Sequence, residues 1–400
     1  MIPGRNQQDF TNKIVNQMAR ENLDAIIFTS PDAIFYATGY ASSFLYHSFN
    51  YGLTVLVVNK DGKMAMILSE FEKQAAARST ENIEFIAYPT WIYIEDYAIA
   101  GQKKEVQPDV NKSFKEALKW IEANTAGSLE EKRIGVQYDS IKFQTWEYLC
   151  EQIKRENLID LKEFLISIRT IKTKWEIDVI REATQISEKA MLRTAKETVA
   201  GMTDTEVTNL FRMYCLEQSQ EIVEVTQDHT FGTNFAPSRI LSGKVLENGD
   251  VIRLDGGPKL SGYNSDIART YAVGGKTSED KERIYECLWK GRKAAESILA
   301  PQVPRSQVFQ AMQNAIHKAG LPEYIRGHHG HSLGCSTFGE EYPFIAPDDN
   351  RPFEPGMIFC LEVPYYSSKH HSYNIEDTFL VTETGIEFFS HARESLDFSS

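Results

Sequence analysis

The sequence predicts two domains of different class: an α/β domain over residues 1–163 and an α+β domain, an antiparallel sheet flanked by helices, over 164–400. Three observations carry the prediction. Short runs rich in Val, Ile and aromatic residues alternate with helical stretches through the first 160 or so residues. A seam near residues 160–173 leads into a strongly signalled helix start. Beyond it, helices at amphipathic spacing surround two hairpin-like units.

In order along the chain, residues 10–23 place Phe10, Ile14, Val15, Met18 and Leu23 on one helical face. The apolar runs at 24–30, 53–60, 63–69, 83–89 and 133–140 are short, bounded by turn residues and read as strands. The stretch 114–124 (FKEALKWIEAN) has helical spacing and lies between two of them. At the seam, Thr173 and Glu176 form a T-x-x-E capping box, followed by Ile177, Ile180, Ala183, Ile186 and Ala190 at helical intervals. Thr203 with Glu206 opens another helix. Further helices are expected at 278–299 and 306–319, the second stopped by Gly320. The first hairpin unit runs from Val251 to Val273, with Gly256-Gly257-Pro258 and Ser261-Gly262 marking its turn; the second runs from Met357 to Val381.

A chain of 400 residues with 42% hydrophobic content is long enough for two ordinary cores. Its net charge of −13 argues against nucleic acid or an anionic membrane surface as partner. Five scattered cysteines without a CxxC pair suggest reduced core thiols. The N-terminal residues lack the order of a secretory signal, and no apolar run approaches the roughly 18 residues that span a bilayer. Cytoplasm is the default expectation.

Asp255 and Asp266 lie 11 residues apart across the first turn, and Glu362 and Glu376 lie 14 apart across the second. Alternate strand residues share a face, so each pair can project from one side of a two-stranded ribbon. Either pair alone reads as surface carboxylates at strand ends. Together they do not, because Asp255 follows Val-Ile-Arg-Leu and Glu362 follows Met-Ile-Phe-Cys-Leu, both core-like runs. Burying four acids there without a cation costs on the order of several kcal/mol each. The segment Arg326-Gly-His-His-Gly-His331 supplies imidazole, and His331, followed by a small Gly-bounded run, is the ligand candidate. One imidazole among carboxylates suits hard or borderline divalent metals. Two such metals roughly 3.5–4 Å apart can activate a shared water and polarise a carbonyl.

The blocks DGGPKLSGYNSDIARTYAVG, GHSLG, EPGMIFCLEVP and IEDTFLVTETG, in that order, resemble the metallopeptidase family of methionine aminopeptidase, Xaa-Pro aminopeptidase and prolidase. Creatinase and ectoine hydrolase are its non-peptidase relatives. NLDAIIFTSPDAIFYATGY and IRTIKTKWEIDVIREA resemble the two-domain members, so the likeness covers nearly the whole chain. The resemblance implies a "pita-bread" C-terminal domain with a dinuclear centre. Asp255 would chelate one metal, Asp266 and Glu376 would bridge, and His331 would bind the second. Glu362 would ligate and shuttle a proton to the leaving nitrogen. It also implies a homodimer. Mn²⁺ is the first expectation for the two divalent ions, then Co²⁺, Fe²⁺ or Zn²⁺.

Two helper histidines of the peptidase members are absent: the corresponding positions are Ser238 and Phe338. Losing a positioned donor costs on the order of 10²–10³ in rate. Either another imidazole has taken over, with His229 and His328 the catalytic candidates beside Glu362 and His331, or the substrate is not a proline peptide. Phe338, His329, Tyr365 and His371 are expected to line the substrate pocket, and Arg269 to bond a ligand carboxylate. The expected activity is metal-dependent hydrolysis of a C–N bond in a dipeptide or another small amide. A genuine Xaa-Pro dipeptidase, and a non-catalytic binding protein that keeps the fold, are the alternatives.

Overall fold

The computed structural model describes residues 3–48, 52–92, 109–219, 224–227, 230–231, 243–337 and 339–398. The chain divides into two compact units, Met1–Arg169 and Thr170–Ser400.

The first unit contains α1 (Gln7–Glu21), β1 (Ala25–Phe28), α2 (Pro31–Thr38), α3 (Ser43–Ser48), β2 (Val55–Asn59), β3 (Met64–Ser69), α4 (Glu70–Ser79), β4 (Ile83–Tyr88), α5 (Lys112–Asn124), β5 (Ile134–Val136), α6 (Phe143–Gln152), β6 (Leu158–Asp160) and α7 (Lys162–Thr170). Its sheet has the order β4-β3-β2-β1-β5-β6. β1, β2 and β3 pair antiparallel, while β3–β4, β1–β5 and β5–β6 are parallel. The strands β1, β2 and β3 are buried throughout, as expected of apolar runs covered on both faces. The helix α7 runs across the expected boundary at 163/164. Its Phe164 is fully buried and lies 6.4 Å from the Phe28 ring of β1, so this helix packs with the unit before it.

The second unit contains α8 (Lys174–Glu197), α9 (Asp204–Gln218), β7 (Glu224–Gln227), β8 (Thr230–Phe231), β9 (Val251–Lys259), β10 (Ile267–Ala272), α10 (Glu279–Glu296), α11 (Arg305–Ala319), β11 (Gly330–Leu333), β12 (Glu340–Phe344), β13 (Ile358–Glu362), β14 (Tyr365–Ser367), β15 (His371–Tyr373), β16 (Glu376–Val381) and β17 (Ile386–Phe388). Both capping boxes form: Thr173 accepts from the Glu176 amide while Glu176 accepts from the Thr173 amide, and Thr203 with Glu206 repeats the pattern. Gly320 ends α11 with a φ of 127°. The large sheet is antiparallel, in the order β12-β11-β13-β16-β10-β9-β7, with β17 on β16 and β8 on β9.

The first hairpin differs from expectation. Gly256-Gly257-Pro258 does not turn; β9 continues through it to Lys259, and the reversal comes at Leu260–Tyr263, whose backbones bond each other. Within the strand, Ser265 donates to the Pro258 carbonyl and Ser187 to the Gly256 carbonyl. One face of the sheet carries Phe359, Leu361, Phe379 and Val381 into a single core with Ile284 and Leu288 of α10 and Phe309, Met312 and Ile316 of α11. Cys360, Glu362, Glu376 and Thr378 sit on the other face.

Candidate metal centre

The strand register brings the acids together. Asp255 of β9 stands opposite Ala268 of β10, Ala268 opposite Glu376 of β16, and Glu376 opposite Glu362 of β13. Directly opposed residues share a face, so these four form one cross-strand row. Ala268 leaves a gap in that row, and Asp266, two residues earlier, fills it from the same face. One step along, His331 of β11 opposes Cys360 of β13, which opposes Thr378 of β16. Four strands, with Asp266 at the entry to β10, thus deliver five expected ligands and one unexpected thiol to a single patch.

Potential ligand atoms of Asp255, Asp266 and Glu376 lie within 4.8 Å of one another, and those of His331, Cys360 and Glu376 do the same. Glu376 belongs to both sets. His331 Nε2 is 3.6 Å from Glu376 Oε1 and 3.9 Å from Asp266 Oδ2. His331 Nδ1 is 3.0 Å from the Ser332 carbonyl. A carbonyl only accepts, so Nδ1 carries a proton, and Nε2 is the nitrogen that faces the acids and that a metal ion would take.

The electrostatics also fit cations. Burial, then Glu376 and Asp255, push the Asp266 carboxyl well above its ordinary value. Burial, then Asp255 and Glu362, do the same to Glu376. Glu362 is different: burial works to raise it, but the cationic neighbours His328, His331 and Arg326 outweigh burial and hold it below its ordinary value. Glu362 Oε1 and Glu376 Oε1 are buried without a hydrogen-bond partner. Acceptor-only oxygens left bare in this way among like charges are what divalent ions satisfy.

Two neighbours, Asn374 and Arg253, were not legible as site residues, whereas Arg326 is a sequence candidate for pairing a substrate carboxylate. Asn374 donates to Asp255 Oδ2 and Glu376 Oε2, 3.1 Å each, orienting two acids at once. It lies two residues before Glu376, so the strand period alone could have found it. Arg326 Nη2 lies 3.7 Å from Glu362 Oε1. Arg253 Nη1 lies 3.7 Å from Asp255 Oδ2 and donates to Tyr366 Oη at 3.2 Å.

Of the expected helper and pocket residues, His328 is placed at the site. Its Nδ1 comes within 3.1 Å of Glu362 Oε1, out of line for a hydrogen bond, its Nε2 lies 3.8 Å from Glu340 Oε2, and its ring packs on Phe344. Four expectations require correction. His329 is a core residue: Gly330 has a φ of 149°, which breaks the strand alternation and turns His329 away from the face that His331 occupies. Its ring stacks on Tyr324 and contacts Phe309, its Nε2 meets Gln313, and burial pulls it down to about 3. A side chain at 330 would drive its Cβ to 2.0 Å from the Cys360 carbonyl, so only glycine permits this turnover. Tyr365 packs against the core and the Tyr373 ring instead of lining a pocket. His371 is buried with Nδ1 3.3 Å from the Val251 amide, at the far end of β9 from Asp255. Arg269 also differs: it reaches Glu188, Asp377 and the Glu376 carbonyl, and so supports β16 through its backbone. His229, Ser238 and Phe338 lie outside the described residues.

The profile of Metallopeptidase family M24 matches residues 178–383, and that of the Creatinase/Prolidase N-terminal domain matches residues 11–171. The chain belongs to metallopeptidase family M24. It is a metal-dependent hydrolase with the two-domain, pita-bread architecture. The sequence is similar to the Xaa-Pro dipeptidase of Pyrococcus furiosus, 27% identical over 261 residues that cover 64% of this chain and 73% of that protein. It is likewise similar to the uncharacterized peptidase YqhT of Bacillus subtilis, 26% identical over 275 residues, 68% of this chain and 77% of the relative. Among solved structures, a prolidase from Thermococcus sibiricus superposes with a TM-score of 0.80 at 20% identity, covering 98% of each chain. An X-Pro aminopeptidase from Thermotoga maritima gives 0.75 at 19% identity, covering 96% of this chain and 98% of that one. Family M24 enzymes use divalent metals. No helix among the described residues is long and apolar enough to cross a membrane.

Proposed function

We propose that this hydrolase cleaves the amide C–N bond of a dipeptide-sized substrate, using two divalent ions held by Asp255, Asp266, His331, Glu362 and Glu376. The observation that carries the reading is the pair of overlapping donor sets that share Glu376 on one sheet face. Divalent ions bound there would lower the pKa of water and polarise the scissile carbonyl. The chain's own groups would do the rest. Glu362, ionised and with a bare Oε1, is the acceptor for the water proton and its donor to the leaving nitrogen. Asn374 keeps Asp255 and Glu376 aimed together. His328, beside Glu362, is the imidazole placed to hold the substrate carbonyl oxygen as charge develops there. Arg326 offers a cation for a substrate carboxylate on the same rim.

An Xaa-Pro dipeptide is the substrate class that the Pyrococcus relative's name supports. Hydrolysis of a small non-peptide amide is the second reading, favoured by Ser238 and Phe338 standing where the peptidases' helper histidines are expected. Mn²⁺ as the metal and a homodimer as the assembly belong to the same proposal. The test is metal analysis followed by turnover. About two equivalents of divalent metal per chain, with cleavage of Ala-Pro-type dipeptides, is expected. Cleavage of lactams with no Xaa-Pro turnover would move the assignment to the second reading, and failure to bind metal after reconstitution would remove both.

A further inference from the structure

We propose that Cys360 is a sulfur ligand of this centre, so that the metal position beside His331 is a mixed His/Cys/Glu site that favours Zn²⁺, Co²⁺ or Fe²⁺ over Mn²⁺. The inference rests on the metal centre proposed above and adds to it a donor that changes its chemistry.

The placement follows from the register. Cys360 stands two residues before Glu362 on β13 and directly opposite His331 on β11, so its side chain shares the face that carries the acids. Its Sγ lies with the His331 ring nitrogen and a Glu376 oxygen in a group whose members are all within 4.8 Å of one another. A tetrahedral ion with bonds of about 2.3 Å to sulfur and 2.0–2.1 Å to nitrogen or oxygen wants donors roughly 3.5 Å apart, a closure of about an ångström.

Two further features point into the same space. Glu376 is 2% exposed, and its Oε1, the oxygen nearest His331 Nε2, has no hydrogen-bond partner. His331, its Nδ1 held by the Ser332 carbonyl, presents Nε2 to that oxygen. The thiol itself is fully buried and has only weak contacts, 3.4 Å to the Asp266 carbonyl and 3.7 Å to Thr378 Oγ1. An ion can therefore displace the sulfur's contacts with little loss. On coordination the S–H proton leaves to solvent and the thiolate lone pair forms the metal–sulfur bond.

A soft thiolate changes the preference of this position, while the oxygen set of Asp255, Asp266 and Glu376 stays suited to harder ions. The two positions should then differ in affinity order. The His331 imidazole already makes the two positions unequal, and the thiolate widens the difference and gives it a sulfur signature.

Cobalt reports it directly. The full-length protein, stripped of metal and titrated with Co²⁺, is expected to show visible d–d bands together with a near-ultraviolet thiolate-to-cobalt charge-transfer band. Cys360→Ser should keep the d–d bands and lose the charge-transfer band, with Zn²⁺ affinity at one position falling about tenfold or more and Mn²⁺ affinity changing less. A wild-type protein that binds Co²⁺ without the charge-transfer band overturns the sulfur assignment and leaves the dinuclear centre standing. Survival of the band in Cys360→Ser overturns that assignment equally. Absence of any cobalt binding instead overturns the centre itself. X-ray absorption on the zinc-loaded wild type needs no variant: one sulfur scatterer at about 2.3 Å is expected, and a shell of nitrogen and oxygen alone refutes the proposal.

Discussion

Glu376→Gln should destroy metal binding and yet stabilise the metal-free protein. Glu376 is 2% exposed, shares a 4.8 Å cluster with Asp255 and Asp266, and has one oxygen without a partner. Two ionised carboxylates at that separation repel by about 3 kcal/mol at an effective dielectric near 20. The Glu376→Gln side chain keeps an acceptor for the Asn374 amide and removes the charge, so the metal-free variant should gain about 2–4 kcal/mol near pH 8. For a unit of this size that corresponds to roughly 5–12 °C in Tm. The pH dependence has a definite sign. The folded Glu376 carboxyl titrates above its ordinary 4.5, so its penalty is absent below that value and grows as pH rises toward the folded pKa. The gain should therefore shrink to nothing as the pH is lowered to about 4.5. With metal at about a thousand times its Kd the wild type should recover some 4 kcal/mol and the variant none. Thermal unfolding by circular dichroism, in chelator and in Mn²⁺, measures all four corners. A metal-free variant no more stable than metal-free wild type at high pH would show that these acids are not electrostatically frustrated, and the reasoning from burial to metal would fail with it.

Three further predictions follow from individual side chains. His328→Ala should lower kcat about 10²–10³-fold with metal content unchanged; a loss under about threefold would take the imidazole out of the reaction. Asp377, fully buried between Arg269 and Arg292 at 2.7 and 2.6 Å, should cost about 3–5 kcal/mol as Asp377→Asn, because two guanidiniums lose their shared counter-ion; denaturant unfolding reads this, and a change below about 1 kcal/mol contradicts it. Asp349 is opposed by partial burial but held by Arg351 and Arg305 down to about 2. Its stabilisation is present above its ordinary 3.8 and is lost as pH falls through about 2. Asp349→Asn should thus flatten the acid limb of stability between those values by about 1 kcal/mol after solvent screening, and an unchanged acid limb would show the pair to be idle.

Much of this arrangement was legible because it is periodic. The capping boxes at Thr173 and Thr203, the apolar stripe of α8 and the stop at Gly320 are local signals, and each appears where its chemistry requires. The carboxylate candidates were legible for a related reason: acids next to core-like runs are anomalous wherever those runs end up. What failed were inferences from proximity in sequence. His329, two residues from His331, looked like a pocket residue and is core, because one glycine with positive φ reverses the side-chain direction between them. Tyr365 and His371 sit in a turn rich in polar and aromatic residues, but their own hairpin folds them against Tyr373 and Val251.

By itself, the sequence determined the two-domain plan, the helix ends and which carboxylates were candidates for a cation, since these depend on composition and spacing within a single element. Only the tertiary structure decided that Asp255, Glu376 and Glu362 share one row across β9, β10, β16 and β13, that Ala268 leaves the space they converge on, and that Cys360 faces His331. Cross-strand register joins residues more than a hundred positions apart, and no local pattern encodes which strand will lie beside which.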